Sequence, residues 1–79
     1  EMDEIVIDAK SKMAGASVAS TAARSKHGVL VIAAKKLDGT MVFNPGADYI
    51  FCEQDTVIVM GDTEDIQKFR SECEVSPKA

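Results

Sequence analysis

Few residues of this 79-residue chain are of types that carry chemistry, and their spacing narrows the choice further. There is one histidine, His27, set beside Gly28. No second histidine, no Ser-His-Asp arrangement and no glycine-rich phosphate loop after a strand accompanies it. A lone imidazole at such a place reads as structural or exposed, and no catalytic residue is assigned. Asp62, Glu64 and Asp65 gather where a helix should begin. Carboxylates so grouped could offer oxygen ligands to a divalent cation, but capping and the helix dipole explain them more simply. Glu53 and Asp55 would join that group only if the fold brought two turns together. Cys52 and Cys73 are far apart and lack partners at metal-ligand spacing, so no metal site is assigned. They read as buried structural thiols in a reducing cytosol, not as a disulfide framework.

One set of residues is better suited to binding. Arg24 and His27 close the first helix read below, Val29 and Leu30 open a strand, and Asn44-Pro45 follows another. Facing one another across a dimer axis, they would make a ligand site. The Arg24 fork suits a phosphate or carboxylate. Asn44 offers an amide, and Val29 with Pro45 an apolar wall for a ring. The plainer alternative makes Arg24 a helix-end cation and Asn44-Pro45 an ordinary turn.

The elements that must position these residues centre on the stretch from Gly28 to Gly61. Val29–Ala34 and Thr56–Met60 are apolar, β-branched and too short for ordinary helices, so they read as buried strands. Asp38-Gly39 between them signals a tight hairpin with φ > 0 at both turn positions, and Pro45 must end the strand that follows. Glu4–Ile7 reads as a further, edge-type strand, and Met13 as a core anchor. Ser17 is placed to cap a helix over 18–26, with Arg24 and Lys26 at its negative end and His27-Gly28 as its stop. A last helix over 64–72 carries Ile66, Phe69 and Cys73 on one stripe.

At this length the chain is one domain with a thin stability margin, of the kind that commonly gains by pairing with a second copy. The core is aliphatic, with no Trp and one Tyr. A net charge of −4 without a basic cluster repels a phosphate backbone, which excludes nucleic acid as a partner on this reading. No signal peptide or membrane-length apolar run is present, so direct membrane insertion is not expected.

The residues also carry a family resemblance. Met13, Gly15 and Ser17 come first, then Arg24, Lys26, Gly28, Val29, Val31, Ile32 and Ala33. Asp38, Gly39, Asn44, Pro45 and Asp48 follow, and Gly61, Asp62, Glu64, Asp65 and Phe69 close the series. In order and spacing this resembles the TrkA C-terminal domain family, the C-terminal lobe of RCK (regulator of potassium conductance) modules. The resemblance implies an α+β fold of β-α-β-β-β-α order, a small mixed, mainly antiparallel sheet of about four to five strands with two helices. It implies one domain over 4–72, with 73–79 as a flexible tail. It further implies a ligand-sensing, dimerising regulatory domain of a prokaryotic potassium channel or transporter, held at the inner face of the cell membrane through its parent subunit. Some members bind cyclic di-AMP between two lobes, with an Arg at the place of Arg24, apolar residues near Val29 and Pro45, and an Asn where this chain has Leu30. No cofactor is assigned; the effectors to test are cyclic di-AMP, from the resemblance, and a divalent cation, from the acidic residues. The dinucleotide-binding N-terminal lobe of such modules is not in this sequence, so NAD or ATP is assigned to none of these residues. The alternatives are a dimerisation module without a ligand, or the sensor lobe of a transcription regulator or a carboxylate transporter.

Overall fold

The computed structural model describes residues 1–23 and 26–74. Arg24, the cation of the expected ligand site, lies outside the described residues, as does most of the expected tail. The elements follow the order β1 (Met2–Val6), α1 (Val18–Thr21), β2 (Leu30–Lys35), β3 (Met41–Phe43), β4 (Thr56–Met60) and α2 (Thr63–Cys73). They form a four-stranded sheet in the order β1-β4-β2-β3, and every pairing is antiparallel. The sheet thus agrees with the mainly antiparallel expectation, with the two apolar runs as its central pair.

Alternation along β4 puts Val57 and Val59 inward, fully buried, while Ile58 is half-exposed. β2 breaks the alternation. Its register against β4 shifts between Val31 and Ala33, the signature of an extra residue in one strand. Val31 therefore pairs with Val59 on the inner face, and Ala34 with Val57 on the same face. Ala33 falls in register with Ile58 and Phe43, between larger neighbours. This is why two adjacent alanines are both fully buried.

α2 covers the inner face with the expected stripe, Ile66, Phe69 and Cys73, all fully buried. They join Ile5, Ile7, Val29, Phe51, Val57 and Val59 in one core, with Met13 at its margin. Cys73, expected to begin the tail, is instead the last residue of α2. At the exposed edge, the Arg70 guanidinium pairs with Asp3 of β1 and with Glu74. The Asp3 carboxyl lies below its usual range, held there first by the Glu4 N–H and then by Arg70.

Two local expectations are corrected. The first helix is four residues long, Val18–Thr21, and does not run to Lys26. Ser17 caps it as expected, accepting from the Ser20 N–H at 3.0 Å. The Ser20 hydroxyl, however, donates to Ser17 O at 3.0 Å and the Thr21 hydroxyl to Val18 O at 2.7 Å. Such side-chain bonds compete with the helical ladder. Ala22 then turns left-handed at φ 53°, ψ 37°, and the helix ends there, well before Gly28. An alanine pays strain in that conformation that glycine does not. Ala22→Gly is expected to stabilise the domain by about 0.5–1 kcal/mol, read as a raised urea midpoint at unchanged slope.

The second correction is the hairpin. Only Gly39, at φ +94°, has the positive dihedral; Asp38 does not. The connection spans residues 36–40, closed by Lys36 N–H to Thr40 O at 2.8 Å and Gly39 N–H to Lys36 O at 2.9 Å. A longer loop needs one left-handed residue at its end, where the two-residue turn needs two. Asp38 instead accepts the Thr40 N–H at 2.9 Å.

Candidate functional site

An apolar groove of about 640 Å³ opens where α1, the start of β2 and the turn after β3 meet. α1 supplies Val18 and Ala19, its left-handed exit supplies Ala22 and Ala23, and β2 with its approach supplies Val29, Leu30 and Val31. Asn44, Pro45 and Ala47 form the opposite wall.

The backbone fixes this shape. Asn44 sits at φ 50°, a left-handed position that asparagine tolerates better than most residues, and its N–H donates to Ile32 O at 2.7 Å. Pro45 keeps the chain from continuing as a strand. The first N–H groups of α1 are already used, Val18 on Tyr49 O and Ala19 on Ala47 O, both at 2.9 Å. An anion in the groove therefore finds no free helix terminus at those amides. Among the described residues the groove offers aliphatic walls and one polar side chain, Asn44. Its shape and chemistry suit the face of a ring with one amide contact.

Of the residues expected to bind a ligand, the structure brings Val29, Asn44 and Pro45 to this groove. His27 is not among them. Its ring packs on Phe69 with centroids 5.3 Å apart and planes tilted by 60°. It lines a separate cavity of about 510 Å³ with Lys12, Lys26 and Glu72. The reason is the early end of α1: the chain turns at Ala22, and His27 swings toward α2. The same change exposes Val18, Ala19 and Ala22 to the groove. The small side chains were legible as a close-packing face, but their role as a groove wall was not.

A polar cluster lies at the other end of the 47–52 strap. Asp55 is 2% exposed and accepts from the Tyr49 hydroxyl at 3.1 Å and the Cys52 N–H at 2.9 Å. Lys36 Nζ lies 3.9 Å from the same carboxylate and 5.2 Å from the centre of the Tyr49 ring. Tyr49, and less strongly Asp55, keep the Lys36 ammonium above its usual range against a partial burial effect. Burial raises the Tyr49 hydroxyl.

The two cysteines differ. Cys73 is buried, and desolvation pushes its thiol up to about 12. Cys52 is exposed, contrary to the expectation of a buried thiol, because it sits on the tight turn before β4. Among the described residues no group of three or more His, Cys, Asp or Glu side chains is placed to hold a metal ion. The turns bearing Glu53 and Asp62 stand at opposite ends of β4, roughly 16 Å of extended chain apart. Among the described residues, no helix is long and apolar enough to cross a membrane.

Comparison with known proteins follows the same lines. A family model of the TrkA-C domain matches residues 2–74. No curated protein sequence matches the chain. Among solved structures the fold is similar to an RCK_C domain dimer of S. agalactiae BusR in complex with cyclic di-AMP. That likeness has a TM-score of 0.85 at 17% identity and covers 95% of this chain and 97% of that one. The RCK C domain of the potassium transport protein KtrA, in complex with cyclic di-AMP, gives a TM-score of 0.78 at 25% identity. It covers 90% of this chain and 80% of that one. BusR in complex with its busAB-promoter DNA gives a TM-score of 0.81 at 18% identity, covering 90% of this chain. The chain spans 34% of that BusR chain.

The last of these overturns one expectation. Nucleic acid was excluded because the chain is acidic, yet a chain carrying this fold is found in complex with promoter DNA. The charge of one lobe limits what that lobe's own surface attracts, not the partners of a longer protein that contains it. With an antiparallel sheet and the α2 stripe as expected, and the family match running over 2–74, the chain belongs to the TrkA-C domain family.

Proposed function

We propose that this chain is a cytoplasmic, ligand-sensing and dimerising regulatory lobe of a prokaryotic potassium channel or transporter, regulatory and not catalytic. The groove receives a nucleotide effector, with cyclic di-AMP the first ligand to test. The observation that supports the reading is the groove itself, lined by Val29, Leu30, Asn44 and Pro45, of which Val29, Leu30 and Pro45 stand at or near positions the resemblance names. The KtrA likeness, at 25% identity in a cyclic di-AMP complex, supports the same choice. In this reading Arg24 meets the phosphate, Asn44 gives an amide, and Val29 and Pro45 hold the base. His27 is left out, because its ring is engaged with Phe69. Regulation then follows from linkage: the effector shifts the parent only by its differential affinity for two arrangements of the paired lobes.

A second reading is favoured by the BusR likeness: the same lobe would sense the ligand for a transcription regulator. The sequence adjoining this lobe in its parent separates the two, since a pore and a DNA-binding helix pair have different hydropathy.

Isothermal titration of cyclic di-AMP tests both. Wild type should release heat at one site per two lobes, and Arg24→Ala should bind about tenfold more weakly through loss of a charged hydrogen bond. Leu30→Asn adds an amide at the groove and should tighten binding about fivefold, the worth of about 1 kcal/mol. Absence of heat with wild type, together with a dimer in sedimentation, would leave a dimerisation module that takes no nucleotide.

A further inference from the structure

The cluster around Asp55 has no part in the groove, yet it holds an exposed thiol and an amine together. Lys36 Nζ lies 3.6 Å from Cys52 Sγ. The pairing of β2 with β4, which sets Lys35 opposite Thr56, brings the end of β2 beside the turn before β4. Buried Asp55 positions both partners: it accepts the Cys52 N–H at 2.9 Å and lies 3.9 Å from the Lys36 ammonium. The Tyr49 ring, 5.2 Å from Nζ, closes the other side.

We propose that Lys36 and Cys52 form an oxidation-responsive cross-link site, at which peroxide converts the Cys52 thiol to a sulfenic acid and the Lys36 amine then closes a sulfur–nitrogen bond. Three features converge on it. Cys52 is exposed, so a small peroxide reaches it. The other thiol, Cys73, is fully buried, so no resolving thiol of the same chain competes. Sulfenic acids condense with a thiol or with a backbone nitrogen; here the Cys52 N–H is held by Asp55, and Lys36 places an amine nitrogen beside the sulfur instead.

The atoms balance in two steps. Cys52 sulfur attacks one oxygen of hydrogen peroxide, an S–O bond forms, the O–O bond breaks, and water leaves. The Lys36 ammonium then loses a proton to solvent, its lone pair attacks sulfur, the S–O bond breaks, and the departing hydroxide takes a proton to leave as a second water. Sulfur is oxidised, peroxide is reduced, and the protein ends with two hydrogens fewer than it began. An external thiol attacking sulfur returns the amine. The bond ties the β2–β3 hairpin to the strap whose far end, at Ala47, walls the groove.

The test is peroxide treatment of the chain, tryptic digestion and mass spectrometry, with Cys73 as internal control. Wild type should give one internally linked peptide over 36–68, uncut after Lys36 and lighter by two hydrogens, which dithiothreitol reopens and makes cleavable after Lys36. Lys36→Gln and Cys52→Ser should lose it, while Lys35→Gln should retain it. In Lys36→Gln the Cys52 peptide should carry added oxygen instead. Wild type that accumulates Cys52 sulfinic acid without the linked 36–68 peptide, or that links Cys52 to Lys35 as readily as to Lys36, overturns the proposal.

Discussion

Phe69→Ala is expected to cost the domain about 4 kcal/mol, the middle of the range for removing a buried ring. Phe69 is the central residue of the α2 stripe and is fully buried. Its removal takes the ring from between Ile66, Cys73 and the sheet, and strips His27 of its aromatic neighbour 5.3 Å away. A domain of this length has about 4–12 kcal/mol in total, so the variant loses between about a third and all of its stability. Phe69→Leu keeps most of the volume and should cost no more than about 1.5 kcal/mol. Urea unfolding followed by far-UV circular dichroism separates the two. Equal midpoints for the two variants would show that the stripe does not anchor α2.

Asp55→Ala is the second large effect, about 2–3 kcal/mol, for a different reason. Its carboxylate is the shared acceptor for the Tyr49 hydroxyl and the Cys52 N–H. Truncation leaves both donors short of a partner, and an unmade buried bond costs more than a made one contributes. The Lys36 interaction adds little, being longer at 3.9 Å and partly in water. Asp55→Asn, which keeps one carbonyl acceptor, should recover about half the loss. Hydrogen exchange at Cys52 and Asp55 is the direct readout: protection falls in Asp55→Ala and persists in Asp55→Asn. Protection unchanged in Asp55→Ala would mean that the turn is held by its backbone bond from Asp55 N–H to Cys52 O alone.

Where the sequence pattern was periodic and apolar, it read well. Thr56–Met60 appears as β4 at the expected bounds, and Ile66, Phe69 and Cys73 fall on the buried side of α2. The misplaced features are those decided by tertiary or local polar competition. The helix after Ser17 looked long because 18–26 lacks glycine and proline, but Ser20 and Thr21 turn their hydroxyls onto the preceding carbonyls. That shortening moved His27 to Phe69 and opened Ala19 and Ala22 to the groove. The extra residue in β2 could not be read from Val31-Ile32-Ala33-Ala34, since alanine and isoleucine suit either face of a strand. The exposure of Cys52 was illegible for a similar reason: burial of a free cysteine is only a tendency, and here the turn before β4 overrides it. Three of the expected ligand residues reached one groove because each flanks a strand end at the same side of the sheet: Val29 before β2, and Asn44 and Pro45 after β3.

The central claim is that the groove between α1, β2 and the turn after β3 takes a nucleotide. Chemical-shift mapping of the labelled chain titrated with cyclic di-AMP tests it most directly. The account predicts perturbed amides at Val18, Ala19, Ala22, Leu30, Val31 and Ala47 and a shifted Asn44 side-chain amide, with Lys12 and Glu72 unmoved. Perturbations centred instead on Lys12, Lys26, His27 and Glu72, or no perturbation at saturating nucleotide, would contradict it.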